Sequence, residues 1–166
     1  VGSAALDANT TASNNNSFGY GSLTNNTTGG NNCAFGRDAL NENQTAGNNS
    51  AFGHNALKAN TTGQYNTAVG SLALDALTTA NKTTAVGYNA LGATTTGYDN
   101  TAVGHGSIGV NTTGNSNVAV GAYSLDANTT ASNNTAIGAS ALTSNTTGQA
   151  QVAVGASALL SNTTGD

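Results

Sequence analysis

Residues 134–150 read Asn134-Thr135-Ala136-Ile137-Gly138-Ala139-Ser140-Ala141-Leu142-Thr143-Ser144-Asn145-Thr146-Thr147-Gly148-Gln149-Ala150. The same pattern fills residues 66–82, and it extends in both directions without insertion or deletion. The glycine that follows Val, Phe or Ile returns every 17 residues, at Gly2, Gly19, Gly36, Gly53, Gly70, Gly87, Gly104, Gly121, Gly138 and Gly155. The 166-residue chain is thus a single array of ten copies, and a fixed period of this kind marks a repeat architecture. Places in the repeat are numbered 1 to 17 from Asn134, which puts the recurring glycine at place 5.

The copies align the chain with itself. Place 4 is always Val, Phe or Ile, beginning with Val1; place 8 is Ala or Ser; place 9 is Leu except for Ile108. Place 12 is Asn except at Leu77 and Thr94, place 14 is Thr from Thr11 to Thr164, and place 15 is Gly or Ala. All ten charged residues fall at places 6, 7, 10, 11, 16 and 17: Asp7, Arg37, Asp38, Glu42, Lys58, Asp75, Lys82, Asp99, Asp126 and Asp166. Every Tyr and both His fall there too. Burying an unpaired charge is costly, so these six places are expected at exposed corners and the constant places, place 4 included, in the packed interior.

Seventeen residues are too few for a helical-hairpin repeat, which takes about 33 or more. Asn, Thr and Gly are also weak helix formers. Short β-branched runs ended by Gly read as strand and turn. The expected fold is all-β: a β-solenoid (β-helix or β-roll) of ten 17-residue coils, with about three short strands per coil near places 1–4, 6–9 and 12–14. Stacking then lines up Val69, Val86 and Val103 in one ladder, Leu57, Leu74 and Leu91 in another, and Asn60 with its equivalents in a hydrogen-bonded Asn ladder. Phe18, Phe35 and Phe52 take the Val place in three successive coils. At about 4.8 Å per coil, ten coils make a rod of roughly 48 Å. One Val and one Leu per coil form a light core, and the small Ala68 and Ala73 offer close approach to another backbone, so lateral association, as a trimer, is expected; the alternative is a monomeric solenoid with these alanines facing inward. Neither end carries a visible cap, which reads as a segment of a longer fibre or as a subunit stacked end to end into a filament.

Composition narrows the function classes. Charged residues are 6%, against about 25% in ordinary soluble domains. Three basic residues and a net charge of −4 give no electrostatic footprint for nucleic acid. No apolar run approaches the ~18 residues of a membrane span, so no membrane insertion is expected. The single cysteine, Cys33, cannot form an internal disulfide and reads as a small buried stand-in for the usual Thr of place 2. The Asn/Thr/Gly richness and scarcity of Lys favour an extracellular setting, at a cell or virion surface.

No catalytic constellation emerges, and no catalytic, cofactor-binding or metal-binding residues are expected. His54 and His105 share place 6 but stand three coils apart, roughly 14 Å along the rod. Asp7, Asp75 and Asp126 share place 10 in separate coils and cannot form one calcium site. The sequons such as Asn9-Thr10-Thr11 and Asn60-Thr61-Thr62 match the N-glycosylation pattern, yet their Asn is expected to be packed in the ladder. Tyr20, Tyr88 and Tyr123 are exposed corner residues that could stack on sugars.

Asn66-Thr67-Ala68-Val69-Gly70 and Asn134-Thr135-Ala136-Ile137-Gly138, each followed by Ala-Leu and, in the second copy, by Asn-Thr-Thr-Gly, resemble the repeat arrays of bacterial and phage tail-fibre-like proteins. More distantly they are similar to the head repeats of trimeric autotransporter adhesins, from whose shorter repeat they depart by the extra Asn-Thr-Thr stretch. The resemblance covers the whole chain. It implies a trimeric, surface-exposed fibrous protein that ends in a trimerisation or chaperone domain. The expected function is therefore a non-enzymatic structural component of an extracellular fibre or filament, with self-association as trimer or filament and a cell surface or glycan as further partners. Two alternatives are an ice-binding solenoid using the Thr ladder of places 13 and 14, and a glycan- or receptor-binding fibre segment.

Overall fold

The computed structural model describes residues 2–165; Val1 and Asp166, which the pattern assigns to places 4 and 16, lie outside the described residues. The fold is an all-β solenoid with no helix among the described residues. Nine strands follow one another: β1 (Asn16–Phe18), β2 (Cys33–Phe35), β3 (Ser50–Phe52), β4 (Thr67–Val69), β5 (Thr84–Val86), β6 (Thr101–Val103), β7 (Val118–Val120), β8 (Thr135–Ile137) and β9 (Val152–Val154). They form one parallel sheet in sequence order. Each residue pairs with the residue one repeat later, as Thr67 with Thr84 and Val69 with Val86, so the 17-residue period is the register of the sheet.

Each coil has one regular strand, at places 2–4, rather than three. The reason lies in the backbone of the remaining places. Places 7, 9 and 17 adopt the left-handed conformation, as at Asn89 (φ 53°), Leu91 (φ 52°) and Lys82 (φ 57°). That conformation costs a non-glycine residue about 1–2 kcal/mol and breaks any extended run. It persists because each such residue donates its N–H to a neighbouring coil: Asn89 to the Ser71 carbonyl at 3.0 Å, Leu91 to Ser107 at 3.0 Å and Lys82 to Gln64 at 3.0 Å. Places 6–11 thus form a chain of tight turns held from coil to coil, and places 13–14 form a bend.

The place-5 glycine is required by two constraints. Its φ is +132° to +143° from Gly19 to Gly138, a region only Gly enters readily. In addition, a Cβ on Gly70 would collide with the carbonyl of Gly87 in the next coil.

The core differs from the expected one. Leu at place 9 is fully buried from Leu23 to Leu142, and Ala68 and Ala73 are fully buried with their equivalents in the inner coils. The alanines therefore face inward and offer no surface to another backbone. Val at place 4 is not in the core: Val69, Val86 and Val103 are 39%, 36% and 37% exposed. Strand alternation explains this, because with Ala at place 3 pointing inward, places 2 and 4 must point outward. Constancy at place 4 therefore marks an outer apolar column, and the interior is built from Leu, Ala and Asn.

Asn forms two internal columns. At place 12, Asn60 donates to Asn43 Oδ1 at 3.0 Å and Asn43 to Asn26 Oδ1 at 2.8 Å, as expected. At place 1, Asn66 accepts the N–H of Thr83 at 3.0 Å and donates to the Ala80 carbonyl at 2.8 Å. These side chains are buried, and their amides replace backbone partners that the turns cannot supply.

Candidate functional site

The outer face of the sheet is the largest feature that the packing leaves unused. Place 4 forms an unbroken column of Phe18, Phe35, Phe52, Val69, Val86, Val103, Val120, Ile137 and Val154, each between 36% and 68% exposed. The rings of Phe18 and Phe35 stack at 6.0 Å between centroids, and those of Phe35 and Phe52 at 5.3 Å. Beside this column runs place 2, half-buried in most coils: Thr67, Thr84, Thr101, Val118 and Thr135. Places 1–5 hold no charged residue in any copy. The face is thus narrow, uncharged and repeated at strand spacing. Monomeric proteins seldom expose a contiguous apolar patch of more than a few hundred Å² unless something covers it.

Other candidates are distributed as follows. Cys33 lies on β2 at place 2, half-buried rather than buried, and burial pushes its thiol pKa upward. The place-10 carboxylates remain in separate coils. Asp75 and Asp126 are half-buried, and burial raises both pKa values. Backbone hydrogen bonds and Lys58 oppose the rise at Asp75, and the Gly109 N–H and His105 oppose it at Asp126. Among the described residues no group of His, Cys, Asp or Glu could hold a metal ion.

Two of the tyrosines are brought together. Tyr88 stacks on His105 at 5.3 Å, and Tyr123 meets His105 edge-on at 4.8 Å. Tyr20 lies apart, under the Arg37 guanidinium at 5.8 Å, and Arg37 pairs with Asp38 at 3.1 Å. His54 and His105 do not meet. Tyr88 and Tyr123 lie in different coils, and it is His105 in the coil between them that links the two rings.

Threonine divides between two roles. Place-13 hydroxyls bond the next coil, as Thr61 to the Thr78 carbonyl at 3.1 Å and Thr95 to Thr112 at 3.2 Å. Place-14 threonines are exposed in every coil from Thr11 to Thr164, although constancy had placed them inside. Asn60, the sequon asparagine, is fully buried with its amide committed to Asn43 and Gly63.

In comparisons with known proteins, no family model, no curated protein and no solved structure matches the chain.

Proposed function

We propose that this chain is a shaft segment of a structural fibre, assembled by copies of itself lying side by side through their strand faces. The observation that carries this reading is the nine-residue outer column from Phe18 to Val154, apolar in every coil and exposed in the single chain. The occupant that fits it is a second copy. An identical column has identical spacing, so Val, Phe or Ile of one chain meets its equivalent at every level without a register penalty. Partners of irregular structure could not match nine equal steps.

The dimensions favour three chains over two. A three-residue strip at about 3.3 Å per residue, nine strands long at about 4.8 Å, covers roughly 430 Å². A stable contact usually buries about 800 Å² per partner, so a pair joined by this strip alone is undersized. Three chains around a common axis bring three Val side chains together at each level. Each chain then has neighbours on both flanks, at place 2 on one side and place 6 on the other. The Leu-Ala interior supports the same reading, since a rod whose Val column faces outward has even less core than the repeat pattern promised. A position outside the cell or on a virion, and the absence of catalysis, belong to the same proposal.

The test is molar mass by sedimentation equilibrium together with negative-stain microscopy. The expected result is a trimer, or trimers joined end to end. A monomer at about 100 μM, where weak contacts of this size would still register, refutes it.

Ice binding is the second reading, and it has one observation behind it: the exposed, evenly spaced place-14 Thr column. Against it, that column sits on a bend rather than on the sheet, and its place-13 neighbours spend their hydroxyls on carbonyls. A thermal hysteresis assay separates the two readings.

A further inference from the structure

Three features occur within coils 4 to 6. The first is an interruption of both Asn columns. In the coils on either side the place-15 carbonyl accepts two side-chain amides, as Gly63 does from Asn60 at 3.0 Å and Asn49 at 2.8 Å, whereas Ala80 accepts only that of Asn66, because residue 77 is Leu. For Gly97 the two donors would be residues 94 and 83, and both are threonines without an amide. Thr94 is fully buried and its Oγ1 has no partner.

The second feature is a cleft of about 320 Å³ at this level, lined by Thr79, Ala80, Asn81, Lys82, Thr96, Tyr98 and Asp99. The third is composition. In the described residues, places 16 and 17 carry charge only at Lys82 and Asp99 and an aromatic ring only at Tyr65 and Tyr98. All four lie in three successive coils. Lys82 and Asp99 form no ion pair with each other, since among the described residues the one ion pair is Arg37 with Asp38. Asn81, an exposed residue, uses its Oδ1 to accept the Gln64 N–H at 2.6 Å and not its amide protons.

We propose that this cleft is a carbohydrate-binding subsite that takes one pyranose unit of a polysaccharide chain. A sugar has a C–H face and a rim of hydroxyls that both donate and accept. The half-exposed Tyr98 ring offers a flat apolar surface to the C–H face,. Asp99 accepts from hydroxyls, Lys82 and Asn81 donate to them, and Thr79 and Thr96 do either. An anionic nucleotide would meet one cation opposed by one carboxylate, and an apolar peptide would meet a rim of hydroxyls and amides, so neither suits the lining. Pockets for small ligands begin at about 300 Å³, enough for a single sugar ring with the rest of the chain lying along the corner toward Tyr65. The inference does not depend on lateral association.

The experiment is titration of the full chain, in whatever assembly state it adopts, with glucan, mannan, xylan, chitin and uronan hexasaccharides, followed by NMR of the Tyr ring protons. The expected result is saturable binding of at least one hexasaccharide with shifts at Tyr98. Tyr98→Ala is expected to weaken it about tenfold and Asp99→Asn about fivefold. Tyr20→Ala and Tyr123→Ala, at other corners, are expected to change it less than twofold. All four positions are exposed or half-buried, and circular dichroism verifies that the variants fold. The proposal is overturned if no hexasaccharide binds with Kd below about 5 mM, or if Tyr98→Ala and Asp99→Asn bind as the parent does. Molar mass measured on the same samples keeps this outcome separate from the fate of the fibre proposal.

Discussion

Asn60 donates its side-chain amide to Oδ1 of Asn43 at 3.0 Å, and both residues are sealed from solvent. Asn60 Oδ1 also accepts the Gly63 N–H at 3.1 Å. Asn60→Ala therefore strands two buried groups, the Asn43 oxygen and the Gly63 N–H. Each stranded group costs about 1–3 kcal/mol, so a loss of about 2–6 kcal/mol is expected in denaturant unfolding. Where the column is already broken, the opposite change helps. Thr94→Asn gives Asn111 an acceptor and Gly97 a donor, and it is expected to raise stability by about 1 kcal/mol. A loss below 0.5 kcal/mol for Asn60→Ala (on the order of a surface change) would show that water replaces the ladder.

Gly70 and Gly155 share place 5 but differ in what lies above them. Both have strongly positive φ, +135° and +125°. A Cβ at Gly70 would strike Gly87, whereas at Gly155 the nearest atom is Ala158 Cβ at 4.0 Å. Gly155→Ala carries only the backbone strain, about 1–3 kcal/mol. Gly70→Ala carries that and the collision, so it is expected to be the more damaging by a clear margin. Thermal melting of the pair reads the difference, and equal losses would mean that the coils can spread at little cost.

The outer column gives a variant whose effect depends on assembly. Val86→Glu with Val103→Glu places two carboxylates per chain on the strand face, where each is already more than one-third exposed in the single chain. In a lone rod the change is a surface substitution within about 0.5 kcal/mol. In an assembly joined by this face it buries like charges against one another. The expected outcome is a folded monomer by sedimentation, and an unchanged oligomer would move the interface elsewhere.

How much of this was legible in the residues can be judged at places 9, 4 and 7. Leu at place 9 announced a core column and is one. Val at place 4 was equally constant, yet constancy reports only that the environment repeats, and an outer column repeats as faithfully as an inner one. The alternation of a three-residue strand decides the side, and the small Ala between Thr and Val was the available signal. At place 7 the left-handed backbone was illegible, because Asp38, Asn55, Leu72, Asn89 and Tyr123 adopt it alike. Their conformation is imposed by bonds to the coil before, not by their own preferences. The cleft at Tyr98 was visible only as scattered exceptions at residues 82, 98 and 99, which the stacking gathers into one lining.

Burial raises the pKa of Asp75 and Asp126 in the fold. The folded state therefore holds its protons more tightly than the unfolded chain, which titrates near the ordinary Asp value of about 3.9. By linkage, stability rises as pH falls through the raised folded pKa values and levels off below the unfolded value. Mild acid, from neutral toward about pH 4, is thus expected to raise the melting temperature slightly. Asp75→Asn removes the penalty, raising stability at pH 7 and flattening its share of the slope. Melting curves across that range decide the matter, and a fall in stability on acidification would reverse the assignment.

Ile108 replaces Leu at place 9 and keeps the same backbone, with φ of 51° and a fully buried side chain. A β-branched residue is a poor occupant of the left-handed region, where its second γ-carbon crowds the following carbonyl. Leu91 and Leu125, in the flanking coils, occupy the same conformation and the same column, so leucine at 108 has a ready-made site. Ile108→Leu is isosteric in volume and should relieve the local strain at little packing cost. A gain of about 1 kcal/mol is expected, and the converse Leu91→Ile is expected to lose a similar amount. If Ile108→Leu destabilises instead, the neighbouring Gly106 and Gly109 have reshaped that coil around isoleucine, and equivalence between coils fails there.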